Sequence, residues 1–335
     1  MHQAEHGLGL GKSVEDIVRD ATEALKSCGI DSPQHDSMVL LAFAASFGLS
    51  VSVNDIRTAM ILGSSFESAF TRWNGSDELS LPQQAGDALD LFAKLLQRRI
   101  RREPLQYIVG HARFRFLDVL VGTGVFIPRQ ETELVVQAAL DWLQRQKIGR
   151  PVMVDLCSGS GAIAVSVATE VPHARVYAVE QSERTIEWTR KNIQKNQARI
   201  DEIGSSLELI EGDATSVQTL QSLDGYCDVI ICNPPYIPER EIPAQPEVRD
   251  WEPQQALYGG SPDGLRFPKR IIDRAATLLK VGGVLVMEHD ISQGAALRNY
   301  ALAQGYRNAQ TEQDLTHRDR FLIASRQSQA NTSQK

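Results

Sequence analysis

Apolar residues recur at helical spacing through the first third of the chain. Val14, Ile17, Val18, Ala21, Leu25 and Cys28 fall on one helical face, Ser13 stands before them as an N-cap, and Gly29 marks the end. A second helix is expected from Ser32-Pro33 to about Phe47-Gly48, with proline just inside its start. Asn54 reads as the cap of a third, carrying Ile56, Ala59, Met60 and Leu62, with a further short turn at 64–70. A long last helix is expected over 87–102, burying Leu89, Phe92, Leu96 and Ile100. Residues 13–102 thus predict a small helical bundle.

The period changes after Pro104. Residues 107–110, 114–116 and 119–121 look extended, and Gly122 and Gly124 supply a turn, so 103–127 reads as a β-hairpin linker. A helix over 128–146 opens on Glu131 and Glu133. Strands and helices then alternate. Strands are expected at 152–157, 176–179, 207–210, 229–232, 284–287 and 320–324, and helices at 162–170, up to about Asn196, and at 271–279. Such alternation over 128–325 implies an α/β domain with a mostly parallel sheet and helices on both faces. The polar tail 326–335 is expected to be disordered.

Charge narrows the range of functions. The 335 residues carry a formal net charge of −7, so no overall basic field exists to hold nucleic acid, and no direct nucleic-acid binding is expected. Arg98, Arg99, Arg101 and Arg102 form a local exception. They suit either a helix C-terminus, where cations complement the dipole, or an anionic contact. Cys28, Cys157, Cys227 and Cys232 lack metal-ligand spacing, so no metal is expected, and free thiols suit a reducing compartment. Neither a signal peptide nor a run of about 18 apolar residues is present, which predicts a cytoplasmic protein with no membrane contact.

Candidate chemistry lies at the strand ends, where open α/β sheets bind ligands. The first loop reads Asp155-Leu156-Cys157-Ser158-Gly159-Ser160-Gly161, and its glycines let a ligand approach the backbone. Gly159, Gly161 and Ala164 also fit the dinucleotide pattern, with Glu180 about twenty residues on to hold a ribose diol. An NAD site is therefore one reading. Asp155 argues against it, because a carboxylate at the loop's mouth repels a pyrophosphate but pairs with an α-ammonium. Asp213 adds an acceptor for an adenine amine. S-adenosylmethionine carries an ammonium, a sulfonium, a ribose diol and an adenine amine, and fits this acidic rim better.

After the strand 229–232 comes Asn233-Pro234-Pro235-Tyr236. Two prolines stiffen the turn and remove two N–H donors, so its carbonyls face outward without donors beside them. The Asn233 side chain and the Pro234 carbonyl can accept both hydrogens of a planar NH2 group, and Tyr236 can stack on it. Such a corner aims a weakly basic nitrogen at a methyl group by orientation rather than by a base.

With these residues in place the chain resembles class I S-adenosylmethionine-dependent methyltransferases with a Rossmann-like sheet. More narrowly, it resembles the protein release factor glutamine methyltransferases of the HemK/PrmC type. The resemblance spans about residues 14–325. It includes Arg102-Glu103-Pro104-Leu105-Gln106-Tyr107-Ile108, Ile127-Pro128-Arg129, Glu131-Thr132-Glu133, the 233–238 segment, Glu252-Pro253, Asp263-Gly264-Leu265, Gly282-Gly283 and Glu288. It implies that Cys157, Ser158, Gly159, Ser160, Gly161, Glu180, Asp213, Ala214 and Asn233 contact the cofactor, leaving S-adenosylhomocysteine as product. It implies that Asn233, Pro234, Pro235 and Tyr236 hold the acceptor, the glutamine of the Gly-Gly-Gln motif in class 1 peptide chain release factors. The helical bundle would help grip that partner, with the enzyme acting as a monomer. Cys157 stands where the family usually has glycine, Gln130 where proline is common, and Asp290 where glycine is frequent. Glu252 either caps the loop after the diproline turn or approaches the substrate. The rival readings are a nucleic-acid amino (adenine) methyltransferase using the same turn, and a non-catalytic binding module.

Overall fold

Ser13 caps the first helix as its position predicts: its Oγ accepts from Asp16 N at 3.0 Å, opening α1 (Val14–Ser27). The computed structural model describes residues 9–46, 50–74 and 81–327, in two compact units, Met1–Val109 and Gly110–Lys335. The first unit continues with α2 (Pro33–Ala45), α3 (Val53–Ile61), α4 (Phe66–Asn74), α5 (Leu81–Ile100) and α6 (Leu105–Val109). Phe66, Phe70 and Phe92 sit fully buried in its core beside Ile17, Leu40, Leu41 and Ile56.

Several boundaries differ from expectation for identifiable reasons. The cap of α3 is Ser52 rather than Asn54, because Ser52 and Asp55 bond reciprocally through side chain and backbone. Residues 107–109, expected to be extended, form α6. Tyr107, Ile108 and Val109 are all buried there, and that burial overrides their strand preference. The hairpin is correspondingly shorter than 103–127: β1 (His111–Phe114) pairs antiparallel with β2 (Leu117–Leu120). The predicted end of α2 at Phe47-Gly48 and nearly all of the tail 326–335 lie outside the described residues, although Arg326 itself closes a strand.

The arginine cluster is structural. Arg98 forms two bonds to Glu103. Arg99 is buried and donates to Asp36 at 2.8 Å, and Arg102, at φ 65°, donates to the carbonyls of Cys28 and Gly29. Arg101 is exposed.

The second unit contains α7 (Thr132–Gln146), β3 (Val152–Asp155), α8 (Ala162–Glu170), β4 (Arg175–Glu180), α9 (Glu183–Glu202), β5 (Ser206–Glu211) and β6 (Cys227–Cys232). It continues with α10 (Pro246–Trp251), α11 (Arg266–Leu278), β7 (Leu279–Glu288), α12 (Gly294–Ala303), β8 (Tyr306–Gln313) and β9 (Asp319–Arg326). Among the described residues the sheet has seven strands in the order β5-β4-β3-β6-β7-β9-β8, parallel except for β9 and β8. Every residue of β3 and β6 is buried, as strands covered on both faces require. Strand β8, whose sequence lacks apolar alternation, was not expected; it is a polar edge strand.

This order decides where a ligand can sit. β3 has β4 on one side and β6 on the other, so the chain reverses direction across the sheet between β3 and β6. A crevice opens beyond the carboxyl ends of strands at such a point. The glycine loop leaves β3 there, and the diproline turn leaves β6.

Candidate active site

One cleft at this crevice is lined by Cys157, Ser158, Gly159, Ser160, Glu180, Ala214 and Asn233, and by Pro234, Pro235 and Tyr236. Asp155, Gly161 and Asp213 do not line it. Asp155 lies behind the loop rather than at its mouth. It is 2% exposed, and its Oδ2 accepts from Ala164 N at 3.2 Å. Burial pushes its carboxyl up to about 7, against the amides of Cys157 and Ala164, which favour the charge. Asp213 instead accepts from the Thr215 amide and hydroxyl at 2.8 and 2.7 Å, a turn that leaves its neighbours Gly212 and Ala214 facing the cleft.

The glycine loop is fastened from two sides. Gly159 and Gly161 adopt φ of 56° and 83°, and an ideal Cβ on Gly159 meets no atom within 4 Å, so that position faces open space. Glu180 Oε2 accepts from Gly159 N at 3.0 Å, and Oε1 accepts from Gln181 N and Ser182 N, each at 2.9 Å. Burial raises the Glu180 carboxyl while these three amides favour its charge. From α9, Thr189 donates to Gly159 O at 2.7 Å and Asn192 donates to Ser160 O at 2.9 Å. The sequence reading missed these two. The available signal was a polar stripe, Thr185, Thr189, Asn192 and Asn196, recurring at helical spacing on a face that is otherwise apolar.

The diproline corner is held just as tightly. Tyr236 N and Ile237 N both donate to Leu257 O, at 3.1 and 2.8 Å. Gln293, 2% exposed, donates to the carbonyls of Tyr236 and Asp263 at 2.8 and 2.9 Å. Gly264, at φ 70°, packs so closely that a Cβ would stand 2.1 Å from Tyr236 O. No protein donor among the described residues meets the Pro234 carbonyl.

Asn233 Nδ2 lies 3.2 Å from Thr132 Oγ1, Thr132 Oγ1 lies 2.6 Å from Glu288 Oε2, and Tyr236 Oη lies 2.9 Å from Glu288 Oε1. Glu288 is fully buried. Burial raises its carboxyl, opposed by the two hydroxyls. Burial and the Glu288 charge hold the Tyr236 phenol well above its ordinary range, so it stays a donor. The helix expected from 128 begins at Thr132, after a turn in which Thr132 N donates to Arg129 O at 3.2 Å. Arg129 pairs with buried Glu252 at 2.5 Å and stacks on Phe126 at 4.6 Å, joining two walls of the cleft. Glu252 thus braces the wall through Arg129.

The profile of the methyltransferase small domain matches residues 117–245. The release factor glutamine methyltransferase of Bifidobacterium longum is 50% identical over 311 residues, covering 93% of this chain and 99% of that protein. The protein of that name from Streptomyces coelicolor is 37% identical over 309 residues, covering 92% and 96%. Among solved structures, a methyltransferase from Pyrococcus furiosus aligns with a TM-score of 0.46 at 18% identity, over 69% of this chain and 98% of that one.

Proposed function

This chain belongs to the release factor glutamine methyltransferases, and from that premise we propose the reaction its cleft performs: transfer of a methyl group from S-adenosylmethionine to the side-chain amide nitrogen of the glutamine in the Gly-Gly-Gln motif of class 1 peptide chain release factors. The observation that carries this reading is the meeting of two loops at neighbouring strand ends. One is a glycine loop with open space at Gly159, and the other is the diproline corner at 233–236, whose Pro234 carbonyl meets no protein donor among the described residues.

The residues fit the methyl donor. Ser158 Oγ is buried without a partner among the described residues, the Gly159 backbone is open to close approach, and Glu180 presents a carboxylate at the spacing a ribose diol needs. The bound donor supplies an electrophilic methyl carbon beside a sulfonium leaving group. The protein's part is orientation. Asn233 Oδ1 and the Pro234 carbonyl accept the two amide hydrogens, and both bonds strengthen as positive charge develops on nitrogen. Tyr236 stacks on the planar carboxamide. A nucleic-acid acceptor fits less well, since three of the four arginines at 98–102, Arg98, Arg99 and Arg102, are engaged by internal partners. The partner places the reaction in the cytoplasm, and no helix among the described residues is long and apolar enough to cross a membrane.

Intact-mass analysis of a purified release factor after incubation with enzyme and S-adenosylmethionine tests the reading. A gain of one methyl group, mapped to the glutamine, is expected. Methylation of DNA or RNA with the release factor untouched would overturn it.

A further inference from the structure

A side-chain amide has two orientations, and only one of them suits the acceptor corner. Asn233 must turn its oxygen, not its NH2, toward an incoming NH2 group. The asparagine alone does not choose between them, because its two ends are nearly the same size. Proton counting along the buried chain behind it does.

Each oxygen of Glu288 faces one hydroxyl, Thr132 Oγ1 on Oε2 and Tyr236 Oη on Oε1, the arrangement of a carboxylate that accepts on both sides. The single proton of Thr132 Oγ1 therefore points to Glu288 Oε2 at 2.6 Å. Thr132 Oγ1 is then left able only to accept, so the atom of Asn233 at 3.2 Å has to be the donor Nδ2. This turns Oδ1 to the cleft side, where no protein donor among the described residues meets it. Tyr236 gives its one proton to the other oxygen, Oε1, at 2.9 Å. Both ends of the diproline corner thus hang from one carboxylate. Its position follows from the register: Met287 pairs with Cys232, so Glu288 and Asn233 leave neighbouring strands at the same level. Thr132 is the first residue of α7, whose amino end favours an adjacent negative charge. No cation lies within ion-pair distance of Glu288 among the described residues, so burying it has a cost that an apolar residue would avoid.

We infer that Thr132 and Glu288 are positioning residues that fix the Asn233 amide with its oxygen toward the acceptor, and so make the corner select an NH2 donor. This rests on the reading of the site given above. A carboxylate acceptor, such as glutamate in place of glutamine, would meet lone pairs instead of donors.

The test compares Thr132→Val, which keeps the shape and removes the hydroxyl, with Thr132→Ser, which restores it. On a purified release factor, kcat for Thr132→Val is expected to fall roughly tenfold or more, while affinity for S-adenosylhomocysteine by calorimetry stays within about threefold. Thr132→Ser is expected to recover most of kcat. Equal kcat for Thr132→Val and wild type overturns the inference and leaves the reading of the site intact. So does a parallel loss of cofactor affinity and melting temperature that serine does not rescue, since that is a purely structural role. Wild-type enzyme that leaves the release factor unmethylated overturns both. If Thr132→Val does not fold, Thr132→Ala removes the same hydroxyl with less bulk and is read against the same outcomes.

Discussion

Asn233 and Asp155 both sit at strand ends beside the cleft, yet their surroundings give them opposite tasks. Asn233 lines the cleft and has an amide oxygen to offer. Asn233→Ala is expected to lower kcat on a release factor roughly a hundredfold, in the range for losing one preorganised donor or acceptor. Affinity for S-adenosylhomocysteine should change far less; an equal loss in both would contradict the assigned role. Asp155 is buried with its carboxyl up at about 7, against roughly 3.9 in an unfolded chain. Between these values the unfolded chain gives up the proton and the folded one keeps it, so this group lowers stability as pH rises from about 4 to about 7, with no further change above. Asp155→Asn abolishes that dependence. The melting temperature of the variant relative to wild type should climb across that window and then level off. A constant difference from pH 4 to pH 8 would show that Asp155 titrates normally.

Elements are set by contacts the local sequence does not contain. The carbonyl corner after β6 keeps its shape because Leu257, Gln293 and Gly264 enclose it. Gly264→Ala puts a methyl group on a backbone at φ 70°, against Tyr236 O. The variant is expected to lose on the order of 2 kcal/mol or more of stability and most of its methylation activity, read by urea denaturation and by the mass assay. Wild-type values in both would mean the corner is not held from this side. The same logic explains which elements were legible. The stripe of α1 and the apolar runs of β3 and β6 carry their own periodicity. Residues 107–109 have strand-forming side chains and become helix on burial, and β8 is too polar to announce itself.

Across the whole molecule, each compact unit has its own apolar core, and every residue lining the cleft belongs to Gly110–Lys335. A fragment beginning at Gly110 is therefore expected to fold cooperatively and bind S-adenosylhomocysteine like the full chain. Its kcat/KM on a release factor should fall at least tenfold if the helical unit helps hold that partner; an unchanged kcat/KM would assign that unit another purpose. A fragment beginning at residue 103 would carry Ile108 and Val109 without the helices whose core they join, and should be the less soluble of the two. The sequence by itself determined the helical unit, the alternating α/β domain, the glycine loop and the diproline corner, because each is written in local periodicity or in the backbone limits of glycine and proline. Only the tertiary structure decided that Asp155 and Arg99 face inward, and that Thr132, Glu288 and Asn233 form one hydrogen-bonded chain. Those partners lie 101 and 156 residues apart, and hydrogen bonds between groups so distant exist only once the sheet order has set their strand ends and the start of α7 side by side.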